Sequence, residues 1–272
     1  MSARLTARSL ALSVAVLLLG VGTLAQSGQQ PFVPQVGQPG KDVIWVPTSQ
    51  TLVDKMLDMA KVTPQDYVID LGSGDGRTVI AAAKRGALAF GIEYEPEMVE
   101  LSKRTAAAAG VSERASFVNA DLFQSDFSKA TVITMFLLPS INMRLRPTIL
   151  AMKPGTRVVS NTFDMADWKA DETTTLTEDC VNFCAALLWI VPAKVEGTWQ
   201  LSQGDLRDLS LEQRFQVISG TLGSTPISEG GLRGSEITFR VGSARYTGRV
   251  DGNVMRGTVT GGSGDTWTAA RR

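Results

Sequence analysis

Residues 67–76 read Y-V-I-D-L-G-S-G-D-G, an apolar run that closes on Asp70 and a glycine-dense turn. Arg77 to Lys84 (R-T-V-I-A-A-A-K) follow with the composition of a helix, so the pattern is strand, tight turn, helix. Gly72, Gly74 and Gly76 stand two apart, which lets the backbone approach a ligand closely and adopt φ angles that a Cβ would oppose. The helix start is expected to point its free N–H groups into the same space. A dinucleotide fingerprint, G-x-G-x-x-G, counted from Gly72 would require glycine at 77, where the chain has Arg77. That disfavours a nicotinamide-binding oxidoreductase.

The run resembles motif I of the class I S-adenosylmethionine (AdoMet) methyltransferases, in which an acid two residues before a G-x-G-x-G turn ends the first strand. A second strand over Ala89 to Tyr94 (A-F-G-I-E-Y) places Glu93 at its tip. An acid there can accept both hydroxyls of a ribose; its bland alternative is a solvated loop carboxylate. Upstream, P-T-S-Q-T-L-V-D-K-M-L (residues 47–57) precedes D-L-G-S-G-D-G-R by about twenty residues. That arrangement is similar to two lysine methyltransferase groups: the non-SET histone-lysine group related to the disruptor of telomeric silencing, and the ATP synthase c-subunit group. The resemblance implies that Thr48 helps hold the methionine end of AdoMet, although Thr48 or Ser49 is also a sound N-cap for the helix that follows. It implies that Asp121 bonds the adenine amino group, with Leu122 or Phe123 against the ring. The cofactor-binding set it implies is Thr48, Asp70, Gly72, Ser73, Gly74, Gly76, Glu93, Tyr94, Asp121 and Leu122. No residue is assigned as catalytic.

Outward from the motif, strands at 115–118, 131–137 and 157–160 alternate with helices at 96–109 and 141–152. Ala185 to Pro192 reads as the last strand. These elements predict an α/β fold: a doubly wound, Rossmann-like sheet with ligands at the carboxyl ends of its strands. Phe163 to Thr177 reads as a loop over the active edge, with Asp164 and Asp167 as candidate acids for a substrate amine. After the fourth strand the histone group carries an Asn-containing motif. Here stands M-F-L-L-P (residues 135–139), with no polar side chain for an amine.

From Val195 the texture changes to short alternating runs, at 214–218, 236–241, 245–250, 254–259 and 266–269, separated by turn signals such as Asp251-Gly252-Asn253. This predicts an antiparallel β-meander, or a small barrel. Gly197-Thr198-Trp199 resembles the G-x-W opening of lipocalin-like barrels. Arg214, Arg233, Arg240, Arg245, Arg249 and Arg256 either form a substrate-facing strip or stand on solvated strand faces.

Residues 1–25 have the layout of a secretory signal peptide: Arg4 and Arg8, then an uncharged apolar run over 9–25 that ends in small residues. Export to the periplasm or beyond is expected; the alternative is an uncleaved membrane anchor formed by residues 9–25. Residues 26–43, rich in Gln, Gly and Pro, read as a flexible tether, 44–194 as the methyltransferase domain and 195–272 as the β-domain. Lys and Arg balance Asp and Glu at 27 each, so no basic field argues for a nucleic-acid partner. The chain has no histidine, which excludes a Ser-His-Asp triad and histidine metal sites. Cys180 and Cys184 could bridge in an oxidising compartment. A five-residue span in extended or helical backbone suits a disulfide poorly, and two buried thiols are expected. The implied function is AdoMet-dependent methylation of a protein lysine or other amine; the alternative is an exported, non-enzymatic binding protein that reuses the fold.

Overall fold

The structure, a computed structural model, describes residues 32–262 and 264–272; the leader at 1–25 lies outside the described residues. From Val33 onward the chain forms one unit built of a sheet flanked by helices and a barrel.

The sheet contains β1 (Tyr67–Leu71), β2 (Leu88–Glu93), β3 (Ala115–Asn119), β4 (Val132–Met135), β5 (Arg157–Asn161), β6 (Glu172–Thr175) and β7 (Ala185–Ile190) in the order β3-β2-β1-β4-β5-β7-β6. The first five are mutually parallel, and β7 runs antiparallel to both neighbours. The order reverses between β1 and β4, which leaves a crevice at their carboxyl ends. Helices α1 (Gln50–Met59), α2 (Arg77–Lys84) and α3 (Pro96–Ala108) cover one face, and α4 (Pro139–Leu150) the other. Because both faces are covered, the central strands carry apolar residues on both sides: Val68, Val132 and Val159 meet the first helices, while Ile69, Leu71, Ile133 and Met135 meet the second side. Ser49, not Thr48, caps α1, its hydroxyl accepting the Leu52 N–H at 3.3 Å. That leaves Thr48 outside the cap, where it lines the crevice.

Two segments on the sheet side differ from the sequence expectation. Glu172–Thr175, expected within a loop, is the edge strand β6; a polar E-T-T-T run carries no alternation, and edge strands tolerate such residues. Residues 35–45, spanning the end of the expected tether and the start of the next domain, form a small hairpin: Gly37 N–H donates to Trp45 O at 2.8 Å, Trp45 N–H to Gln38 O at 2.9 Å, and Pro39 bridges Ile44.

The C-terminal region is a closed barrel of eight antiparallel strands: β8 (Gly197–Gln203), β9 (Asp205–Arg214), β10 (Val217–Leu222), β11 (Thr225–Arg233), β12 (Glu236–Val241), β13 (Ala244–Asp251), β14 (Val254–Thr260) and β15 (Thr266–Arg271). The run at 214–218, expected as a strand, instead spans a two-residue turn at Phe215-Gln216. The barrel interior is filled. Trp199, Leu201, Leu209, Phe239, Tyr246 and Trp267 all point inward; Phe239 and Tyr246 stack at 4.7 Å, with Trp267 edge-on to both. The G-T-W opening buries Trp199 in the barrel core, its indole N–H on Val195 O at 2.8 Å and Arg271 over its ring at 4.3 Å.

The barrel joins the sheet through the β9–β10 turn, where Phe215 stacks on Trp168 at 5.9 Å and Gln216 Nε2 donates to Lys169 O at 2.8 Å. Gly234 passes so near Gly155 that a Cβ on it would sit 3.0 Å from the Gly155 Cα. The arginines do not form a substrate-facing strip. Arg214 pairs with Asp167 and Arg233 with Glu172 across the junction, while Arg240 and Arg249 pair with Glu229 and Glu236 on the barrel surface.

Candidate active site

A cavity of about 650 Å³ opens at the carboxyl ends of β1, β2 and β4, a volume suited to a small-molecule cofactor. Of the expected positions, Thr48, Asp70, Gly72, Ser73, Gly74, Glu93, Tyr94, Asp121 and Leu122 all line it. Gly76 does not. It caps α2 in the left-handed region (φ 80°), and a Cβ there would lie 2.8 Å from both Ser102 and Phe117, so its smallness serves packing between α2 and α3.

The glycine turn braces itself and does not present a row of free donors. The N–H groups of Gly72 and Ser73 both reach Ile92 O, at 2.9 and 3.1 Å, and Gly74 N–H donates to Glu93 Oε2 at 2.7 Å. Glu93 Oε1 accepts from the N–H groups of Tyr94 and Glu95 at 2.8 and 3.0 Å, which fixes the carboxylate at the tip of β2. Asn119 completes this brace by donating its Nδ2 to Tyr94 O.

Asp70 is buried at the end of β1 and accepts the Thr134 hydroxyl at 2.7 Å. Burial pushes its carboxyl up to about 7; the Thr134 hydrogen bond opposes this, and the negative charges of Glu93 and Asp75 add to it. A cation entering the cavity would favour the carboxylate form, and the ammonium of the AdoMet methionine end is such a cation. Ser73, a lining residue, has a buried hydroxyl with no hydrogen-bond partner among the described residues. These two features fit AdoMet.

Thr48 is held from two sides: Asn161 Nδ2 donates to its Oγ1 at 3.0 Å, and Arg77 donates to its carbonyl at 2.7 Å while gripping Asp75 with the rest of its guanidinium. Arg77 therefore ties the segment before α1 to the glycine turn. Asp121 accepts from Lys41 Nζ at 2.7 Å and from Phe123 N–H at 2.9 Å, and the Lys41 hydrogen bond foremost holds its carboxyl below the usual range. Lys41 also lies 4.5 Å above the Tyr94 ring, and Trp45 rests against Gly74, so the 35–45 hairpin lies along the cavity wall. Leu122 faces the cavity. Phe123 does not line it, and its ring lies under the Arg144 guanidinium at 3.6 Å.

The opposite end of the cavity is apolar, walled by Phe136, Leu137, Leu138, Ile141, Phe163 and Phe183. Asp164 and Asp167 are not there. Asp164 accepts the Ala166 N–H, and Asp167 is taken by Arg146 and Arg214 at the barrel junction. Cys180 and Cys184 are joined in a disulfide, contrary to the expected thiols. The loop that carries them is neither extended nor helical: Asp179 and Phe183 take positive φ of 56° and 57°, which curls the chain until the two Cα atoms lie 5.7 Å apart. Sequence reading missed Lys41, Arg77 and the three phenylalanines as site residues. Their positions, one residue past β4 and two past β5, were the available signal for Phe136 and Phe163.

A doubly wound sheet with an acid at the tip of β1, a self-braced glycine turn and a second acid at the tip of β2 defines a class I AdoMet-dependent methyltransferase. Residues 70–172 match the model of the ANTKMT methyltransferase domain, and the chain belongs to that methyltransferase family. It is 41% identical over 143 residues to a protein-lysine N-methyltransferase of Saccharolobus islandicus (strain REY15A), covering 52% of this chain and 89% of that one. It is 34% identical over 131 residues to the Mus musculus lysine N-methyltransferase named for the ATP synthase c-subunit, covering 48% of this chain and 53% of that one. Among solved structures, an RNA methyltransferase from Salinibacter ruber in complex with S-adenosyl-L-homocysteine (AdoHcy) shares 43% identity, with 55% of this chain and 96% of that chain covered and a TM-score of 0.52.

Proposed function

We propose that this methyltransferase acts on an amine, in the first place the ε-amine of a protein lysine, and that it does so outside the cytoplasm. The observation that carries the acceptor class is the asymmetry of the cavity: carboxylates and Ser73 at one end, three phenylalanine rings and, among the described residues, no acid at the other. The relatives named for lysine methylation support the same class. The Salinibacter relative carries an RNA methyltransferase name, but the even charge of this chain, 27 basic against 27 acidic side chains, favours a protein acceptor.

AdoMet, when bound, supplies a methyl carbon activated by its sulfonium, which the amine lone pair attacks as the carbon–sulfur pair returns to sulfur and the nitrogen sheds a proton. Asp70 and Thr48 would hold the methionine end, Glu93 the ribose and Asp121 with Leu122 the adenine. No protein nucleophile is required, consistent with a chain that lacks histidine. A lysine amine is neutral in only about one molecule in a thousand at pH 7.4, and an apolar wall that strips water from it raises that fraction. The leader at residues 1–25 supports export, with an anchor formed by residues 9–25 as the alternative.

Titration calorimetry of the protein with AdoMet and AdoHcy, repeated on Glu93→Ala, tests the cofactor assignment. Loss of charge-assisted bonds worth about 1.5–3 kcal/mol each predicts a drop in affinity of roughly tenfold or more. Equal affinity in the two proteins would remove Glu93 from the site. Incubation with methyl-labelled AdoMet and lysine-containing proteins then reads the acceptor, and cell fractionation with N-terminal sequencing reads the compartment.

A further inference from the structure

The connection between β6 and β7 does more than join two strands. It carries Phe183 to the apolar end of the cavity, where three rings close a triangle: Phe136 to Phe163 at 5.9 Å, Phe136 to Phe183 at 5.2 Å and Phe163 to Phe183 at 5.8 Å. The first two rings belong to the sheet. Phe136 follows β4 directly, and Phe163 sits two residues past β5 with its carbonyl held by Ser160 Oγ at 2.7 Å and Asn142 Nδ2 at 3.2 Å. Phe183 belongs to the five-residue ring closed by Cys180 and Cys184, holds a left-handed φ of 57° and remains 38% exposed beside Val181, which is 94% exposed. The ring lies beyond residue 172, where the match to the family model ends.

We propose that the Cys180–Cys184 loop is a specificity element of the acceptor site: the disulfide holds Phe183 against Phe136 and Phe163, completing a three-ring wall for the alkyl arm of the acceptor amine. The inference rests on the methyltransferase reading above. Ring faces and the flanking Leu138 and Ile141 give a methylene chain dispersion contact and exclude water, while the negative ring faces suit a methylated ammonium leaving the site. Phe183 positions the acceptor and takes no part in bond making. Opening the disulfide frees the loop to swing Phe183 away and leaves the cofactor end untouched.

The test uses the full chain saturated with AdoHcy and titrated with n-butylammonium and n-butyltrimethylammonium, probes of the lysine and trimethyl-lysine arms, by ligand-observed NMR. Phe183→Ala, and separately Cys180→Ser with Cys184→Ser, are expected to weaken both probes about fivefold while AdoHcy affinity stays as in the parent. Phe183→Tyr is expected to retain probe affinity, which a purely structural role of the loop would not require. Unchanged probe affinity in Phe183→Ala, or no saturable probe binding to the parent with AdoHcy bound, would overturn the proposal. Failure of the parent to bind AdoHcy would overturn the methyltransferase reading itself, and the inference with it.

Discussion

The sheet and the barrel solve opposite problems with the same chain. The sheet keeps a hollow of about 650 Å³ where its strand order reverses, and lines it with a carboxylic acid, a hydroxyl without a partner and a turn of left-handed glycines. The barrel closes on itself through β15 and β8, pairs every strand on both sides and fills its interior with Trp199, Phe239, Tyr246 and Trp267. One region holds unfavourable local choices in reserve for a ligand. The other has spent its side chains on packing, and among the described residues those that line the cleft lie between Gln38 and Phe183, none of them in the barrel. The difference teaches that stability and chemistry here are divided between two parts of the chain.

The sharpest way to break that division is Trp199→Ala. Deleting a fully buried ring from the barrel is expected to cost about 3–5 kcal/mol, seen as a lowered melting temperature, with AdoHcy affinity at 20 °C unchanged. A parallel loss of affinity would show that the barrel shapes the cleft. The complementary strain in the cleft is read through Asp70. Its carboxyl stands at about 7 against 3.8 in the unfolded chain, so between those values the folded protein keeps a proton that the unfolded chain has released. Stability is then greatest below pH 3.8, as far as this group is concerned, and falls as pH rises to 7, by roughly 4 kcal/mol. Asp70→Asn should flatten that slope in denaturant titrations between pH 4 and 7; parallel profiles for the two proteins would contradict it. The smallest effect belongs to the junction. Phe215→Ala removes the stack on Trp168 and should cost about 1–2 kcal/mol, separating the calorimetric transition into two as sheet and barrel uncouple. A single, unshifted transition would mean that the hydrogen bonds around Gln213 and Gln216 hold the two regions together without it.

What could be read from the sequence follows the range of the interactions. Asp70, the three glycines and Glu93 were legible because a strand, turn and helix is a local pattern with strict spacing. The barrel was legible as a class, since alternation and turn residues are local too, but β8 to β11 were not. The alternation of β9 to β11 is interrupted by acids and glycines, β8 offers only Trp199 and Leu201, and Phe215 continues the apolar pattern straight through a turn. The 35–45 hairpin was hidden for the opposite reason: Gln, Gly and Pro are the composition of a linker, and only Lys41 meeting Asp121 and Trp45 meeting Gly74 give it a shape. The ring triangle was hidden because Phe136, Phe163 and Phe183 come from three separate connections. The disulfide depended on left-handed φ values at Asp179 and Phe183, which neither residue type announces.

The reversal of β7 has a consequence for what can reach the mouth of the cleft. Because β7 runs against its neighbours, Ile190 lies beside Arg157 at the foot of β5, and the chain departs for the barrel from the end of the sheet away from the cavity. The bulkiest addition to the fold thus leaves the sheet at the end opposite the opening, and among the described residues none from the barrel lines the cavity.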